Sequence, residues 1–252
     1  MKYENEIIYE ELSKSFGIEK FKLKNSMKPL LHILPCQLPI SISHKNDTFT
    51  YLISDFNHRA GIDIENILCQ TDWSPFFNRF FNFEDSMLIH NLKSVYKINN
   101  PEALIFSMKE SALKKVLLQV DPLLIYFNKI QELDSITNKL RLFKFDINIK
   151  NQEIESEIYC FYNEDKNQIL SICIDKNLSH CTNFFIYFQS LEIADFSSIS
   201  QHLFVMKGML LRAPDSFFPK DLISDLIQPY QIAIDQKIHE SQQRQSPQYS
   251  HI

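Results

Sequence analysis

The sequence predicts an α+β protein of antiparallel strands and packed helices. Three observations lead there. Short stretches with strand-like apolar patterning follow one another across brief breaks, the pattern of hairpins rather than of repeated βαβ units. Two longer stretches with helical apolar spacing lie between them. Only three glycines occur, Gly17, Gly61 and Gly208, so no Gly-rich phosphate loop of the Walker or Rossmann kind can form.

Taken in order, residues 4–16 read as a helix: Ile8, Leu12 and Phe16 recur every fourth position among acidic residues, and Gly17 can end it. Extended pieces follow at 20–24, 30–34, 40–44 and 49–54, punctuated by Pro29, Pro35 and Pro39. Residues 55–58 read as a turn into a strand over 60–66, and 67–75 as a loop. Helices are predicted over 76–97, with a break near Asn82, and over 101–118, where Asn100 is the cap and Pro101 sits in the first turn. Strands are predicted over 139–149, 154–163 and 168–175. Beyond them, 184–191 reads as a strand and 199–211 and 220–240 as helices, while the Gln- and Ser-rich residues 241–252 read as a frayed tail. The domain organisation expected is one domain over 1–175, an α/β extension of unknown role over 176–240, and a disordered tail over 241–252.

Composition bounds the function. The 252 residues are 44% hydrophobic and 23% charged, enough apolar material for a core. The net charge of −5 argues against a general nucleic-acid binder or an anionic-membrane binder. Glu4, Glu6, Glu10 and Glu11 stand where a signal peptide needs apolar residues. The longest apolar candidate, 116–127, is interrupted by Gln119 and Asp121-Pro122, too soon to span a membrane. A cytoplasmic protein is expected. The cysteines, at 36, 69, 160, 173 and 181, are odd in number and form no C-x-x-C. They are expected to be ordinary reduced thiols rather than disulfides or zinc ligands.

Two segments carry candidate chemistry. In Gly61-Ile62-Asp63-Ile64-Glu65 a strand would send Ile62 and Ile64 to one face and Asp63 and Glu65 to the other, with Gly61 leaving space beside them. Two carboxylates about 7 Å apart along a strand repel unless a cation lies between them, and hard oxygen ligands suit Mg²⁺. The same pattern also describes a solvent-facing strand. In Phe106-Ser107-Met108-Lys109-Glu110-Ser111-Ala112-Leu113-Lys114, the residues Leu104, Ile105, Met108, Ala112 and Val116 form an apolar stripe. Glu110 and Lys114 lie one turn apart on another face, below Phe106; a surface ion pair has the same spacing.

In combination and in this order, G-I-D-I-E and then F-S-x-K-E-S-x-x-K resemble the signature of the 4′-phosphopantetheinyl transferase superfamily. The likeness is to its larger members, the surfactin- and enterobactin-synthetase-activating type. Met27-Lys28-Pro29 resembles the family's G-K-P segment, with Met for Gly. Ser41-Ile42-Ser43-His44 resembles its N-I-S-H-S segment, with Lys45 at the last position. Asn78-Arg79-Phe80-Phe81 resembles its R-F-F-(S/T) run. The resemblance covers about residues 5–175.

The resemblance implies a fold of two pseudo-symmetric halves, the first shortened here, since only about 40 residues precede Ser43-His44. It implies transfer of the 4′-phosphopantetheine arm of coenzyme A to a serine of an apo acyl or peptidyl carrier protein, with release of 3′,5′-ADP. Asp63, Glu65 and Glu110 would hold Mg²⁺. Glu110, or a metal-bound water, would take the serine proton. Lys114 would sit on the phosphates and protonate the leaving group, with Lys109 ranked behind it. Ser43 and His44 would meet coenzyme A phosphate, and Lys28 and Pro29 would flank the adenine. Lys20, Lys22, Lys24, Lys28 and Lys45 form either a basic mouth for the coenzyme or a solvated lysine face. A monomer is expected. The other reading is a protein that keeps the fold and binds coenzyme A or a carrier without turnover.

Overall fold

The computed structural model describes residues 21–24, 30–33, 36–46, 48–54, 59–68, 72–117, 120–135, 139–150, 155–176, 203–206, 209–213 and 217. The helix expected over 4–16, the elements expected over 184–191 and 220–240, the tail, and Lys20, Lys28 and Pro29 lie outside these residues.

Within them the protein is mixed, with helices and antiparallel sheets. Strands β1 (Phe21–Lys24), β2 (Leu30–Ile33), β3 (Cys36–Lys45) and β4 (Thr48–Ile53) run as successive hairpins, and β5 (Gly61–Asn66) follows. Three helices come next: α1 (Ser74–Phe80), α2 (Phe83–Ser94) and α3 (Pro101–Lys115). Then come β6 (Ile125–Ser135), β7 (Leu140–Ile149), β8 (Ser156–Asn163), β9 (Gln168–Asp175), β10 (Leu203–Met206) and β11 (Met209–Arg212). One sheet has the order β1-β2-β3-β4-β11-β10 and the other β5-β9-β8-β7-β6.

The predicted break near Asn82 is a capping box. The Asn82 side chain accepts from the Asp85 N–H, and the Asp85 carboxylate accepts from the Asn82 N–H at 2.6 Å. Asn100 caps α3 by accepting from Ala103 N–H, with Pro101 behind it, as its sequence predicts.

Two expectations are corrected. Within the helix expected over 199–211, the described residues are strands: Leu203–Met206 and Met209–Arg212 pair antiparallel, and β11 lies beside β4. So part of the stretch expected as a separate extension completes the first sheet. Residues 125–135, left without an element by the sequence reading, are the long edge strand β6, which carries register shifts against β7.

The layers explain the hydrophobic pattern. The five-stranded sheet is apolar on both faces. Phe143, Phe145, Ile158, Cys160, Ile169 and Cys173 pack with Leu104, Ile105, Met108 and Ala112 of α3. Alternate residues, including Ile62, Ile64, Leu142, Leu170 and Ile172, pack with Leu52, Met209 and Leu211 of the first sheet. The order is therefore helices, five-stranded sheet, six-stranded sheet. Strands buried on both sides read as nearly continuous apolar runs. The Cys160 and Cys173 thiols lie free in this core, and burial pushes each up to about 12, so neither is a reactive thiolate. No helix among the described residues is long and apolar enough to cross a membrane.

Candidate metal and phosphate site

The site is built where β3, β5 and α3 meet. Strand β5 is an edge of the five-stranded sheet, so alternate backbone N–H groups face away from β9. Two serines of β3 satisfy them: Ile62 N–H donates to Ser41 Oγ at 3.0 Å and Ile64 N–H to Ser43 Oγ at 3.3 Å. Because residues i, i+2 and i+4 of a strand share a face, Ser41, Ser43 and Lys45 all turn toward β5. Lys45 Nζ lies 2.6 Å from Glu65 Oε2.

Helix α3 lies directly over β5. A Cβ at Gly61 would fall 1.8 Å from the Ser111 carbonyl oxygen and 2.6 Å from the Lys115 nitrogen, both backbone atoms. The space beside Gly61 is thus filled by the helix itself, and only glycine permits that approach. Asp63 and Glu65, on the Gly61 face of the strand, are consequently covered. Asp63 is 4% exposed and Glu65 7%, which removes the solvent-facing-strand reading.

Side-chain contacts converge on Asp63. Lys114 Nζ is 2.7 Å from Asp63 Oδ1 and donates to Ser43 Oγ at 3.0 Å, while the Ser43 hydroxyl donates to Asp63 Oδ1 at 2.9 Å. Lys114 therefore reaches across to the strand, rather than forming only a local pair with Glu110. The other oxygen, Asp63 Oδ2, is buried with no hydrogen-bond partner.

Glu110 shares this environment. Burial first, and then the charges of Asp63 and Glu65, push the Glu110 carboxyl above its ordinary value, against the pull of Lys114. Glu65 is also raised, by burial and by Asp63, while Lys45 pulls the other way. The charges of Asp63 and Glu65 on β5 thus reach Glu110 on α3 across a partly desolvated seam. Among the described residues no three His, Cys, Asp or Glu side chains stand ready as a metal cage. The lysines do the charge compensation here. The donor chemistry, all carboxylate, suits a hard cation, and Asp63 Oδ2 is an uncommitted buried ligand atom.

The remaining expected residues separate. His44 alternates to the opposite face of β3 from Ser43 and Lys45 and pairs across the strands with Phe49, so the strand does not turn it toward Asp63. Lys109 is fully buried and turned away. Its ammonium donates to the Phe80 carbonyl at 2.9 Å, the Asp85 carboxylate at 2.5 Å and the Pro122 carbonyl at 2.9 Å. All three N–H bonds are used, so the coenzyme contact expected of Lys109 is replaced by a structural one. It ties α3 to α1, to the first turn of α2 and to the 3₁₀ turn at Pro122–Leu124. Burial pushes the Lys109 ammonium down and the Asp85 carboxyl up.

Sequence reasoning passed over Asp85, and it took Lys45 as part of a lysine cluster rather than as the partner of Glu65. Lys45 was visible as the departure at the end of the Ser43-His44 segment, and Asp85 as the third residue after the Asn82 cap. Phe106 is seated by Phe80, stacked at 4.6 Å between centroids, and by Trp73 and Phe76, which fixes the helix face that carries Glu110. No protein-family model matches the chain, and no curated protein matches it.

Proposed function

We propose that this chain is a Mg²⁺-dependent 4′-phosphopantetheinyl transferase of the larger type. It would act on an apo acyl or peptidyl carrier protein as a cytoplasmic monomer. The observation that carries the reading is the cluster of Lys114, Ser43 and Asp63, with Asp63 Oδ2 left without a partner, on the strand that also carries Glu65 and under the helix that carries Glu110.

Asp63, Glu65 and Glu110 would hold the Mg²⁺, which when bound neutralises charge on the diphosphate of coenzyme A. Lys114 and Ser43 lie beside Asp63 and would orient the phosphate oxygens. The carrier serine Oγ forms the new bond to the phosphorus bearing the pantetheine arm, and the bond from that phosphorus to the bridging oxygen of 3′,5′-ADP breaks. Glu110, its carboxyl held above the ordinary value by burial and by the charges of Asp63 and Glu65, would accept the serine proton. Lys114 would face the charge that develops on the former bridging oxygen as it leaves with 3′,5′-ADP.

One observation favours the second reading, a non-catalytic binder: the Lys45 ammonium lies against Glu65. Incubation of the purified full chain with coenzyme A, Mg²⁺ and a panel of apo carriers discriminates the two. The expected result is a carrier that gains the mass of a phosphopantetheine arm, with loss of that gain in Asp63→Asn. Coenzyme A binding with no carrier modified, across acyl and peptidyl carriers, would favour the binder.

A further inference from the structure

We propose that Lys45 is an exchangeable internal counter-ion: it holds Glu65 in the metal-free protein, is displaced by a divalent cation, and is then released toward the phosphates of the incoming ligand. The inference rests on the metal reading above. It starts from how differently the two lysines of the site are held. Lys114 contacts two groups, Asp63 Oδ1 and Ser43 Oγ. Lys45 meets Glu65 alone among the described residues, and its side chain is 32% exposed against 9% for Glu65. Its stem therefore enters from solvent and can leave without disturbing the core.

The backbone beneath that stem is fixed. Lys45 pairs with Thr48 where the β3–β4 hairpin closes, beside Asn46 at φ 53. Gln168 Nε2 then ties Thr48 Oγ1 to the start of β9 at 2.8 Å. Only the side chain needs to move, and rotation of an exposed lysine is fast.

Charge gives the exchange its direction. Three carboxylates against two ammonium groups leave the seam one negative charge in excess. A divalent cation reverses that sign and repels the singly held, more exposed ammonium from Glu65. The seam then carries surplus positive charge, which a diphosphate would balance. Metal and anion are thereby coupled, with Lys45 as the moving part.

The test is a titration of the full chain with Mn²⁺ alone, free Mn²⁺ being followed by electron paramagnetic resonance, in wild type, Lys45→Met, Lys45→Arg, Asp63→Asn and Glu110→Gln. Circular dichroism checks that each variant is folded. Lys45→Met should bind Mn²⁺ about three- to tenfold more tightly than wild type, and Lys45→Arg close to wild type. Inorganic pyrophosphate should tighten Mn²⁺ binding more in wild type than in Lys45→Met. Equal or weaker Mn²⁺ binding by Lys45→Met, with wild type binding and Asp63→Asn not, would overturn the exchange and leave the metal site standing. No Mn²⁺ binding by wild type, or binding undiminished in both Asp63→Asn and Glu110→Gln, would remove the metal reading itself.

Discussion

At the scale of single residues, Ser43 joins three groups. Its hydroxyl accepts from Ile64 N–H and from Lys114, and donates to Asp63. Ser43→Ala strands a buried backbone donor and loosens Asp63, so it should cost about 1–3 kcal/mol, read as a lower denaturant midpoint at unchanged slope. Lys109→Met should cost more, about 3–5 kcal/mol, because Asp85 would keep a buried charge without its counter-ion. Glu110→Gln should act in the opposite direction. The folded-state pKa of Glu110 is raised, so its ionised form opposes folding at neutral pH, and that penalty is relieved as pH falls. The variant should therefore gain about 0.5 kcal/mol at pH 7 in chelator, a gain that disappears below the ordinary carboxylate range, while transfer is lost. Thermal unfolding across pH reads both parts. Asp63, Glu65, Glu110 and Lys114 were singled out by the family resemblance, since their spacing alone fits a solvent-facing strand and a surface ion pair equally well. Lys109 was misread because helical angle alone says where a side chain starts, not which distant carbonyls receive it.

At the scale of elements, the decisive contact is α3 on β5. Gly61 admits the helix backbone, so Gly61→Ala must push α3 outward and should destabilise by about 1–3 kcal/mol. It should also weaken Mn²⁺ binding, since Glu110 travels with the helix; a stable variant with unchanged binding would show that the helix position does not set the site. The helices were legible because their caps are local: Asn82 and Asn100 bond to N–H groups three residues away. The β10–β11 hairpin was not, because Leu203–Met206 and Met209–Arg212 are apolar runs whose periodicity alone does not separate strand from helix. The deciding partner, β4, is distant in sequence. Gly208, between the two apolar runs in the sequence, was the available local signal.

At the scale of the whole molecule, the two sheets share one core, and Met209, Leu211 and Phe217 belong to it. A chain ending at residue 176 should therefore lose these buried side chains and expose the edge of β4. Broad unfolding or association on gel filtration is expected, in place of one cooperative transition. The antiparallel α+β class was readable from hairpin spacing and glycine scarcity, whereas the stacking of sheet on sheet follows from long-range burial that no local window contains. The pairing of β4 with β11 has a temporal side. During synthesis β4 emerges after β3, which flanks one side, but well before β11, so its other edge must wait open through most of translation. Nascent chains of this protein should need a holding chaperone until residue 212 clears the ribosome, and slowing elongation should lengthen that dependence rather than relieve it.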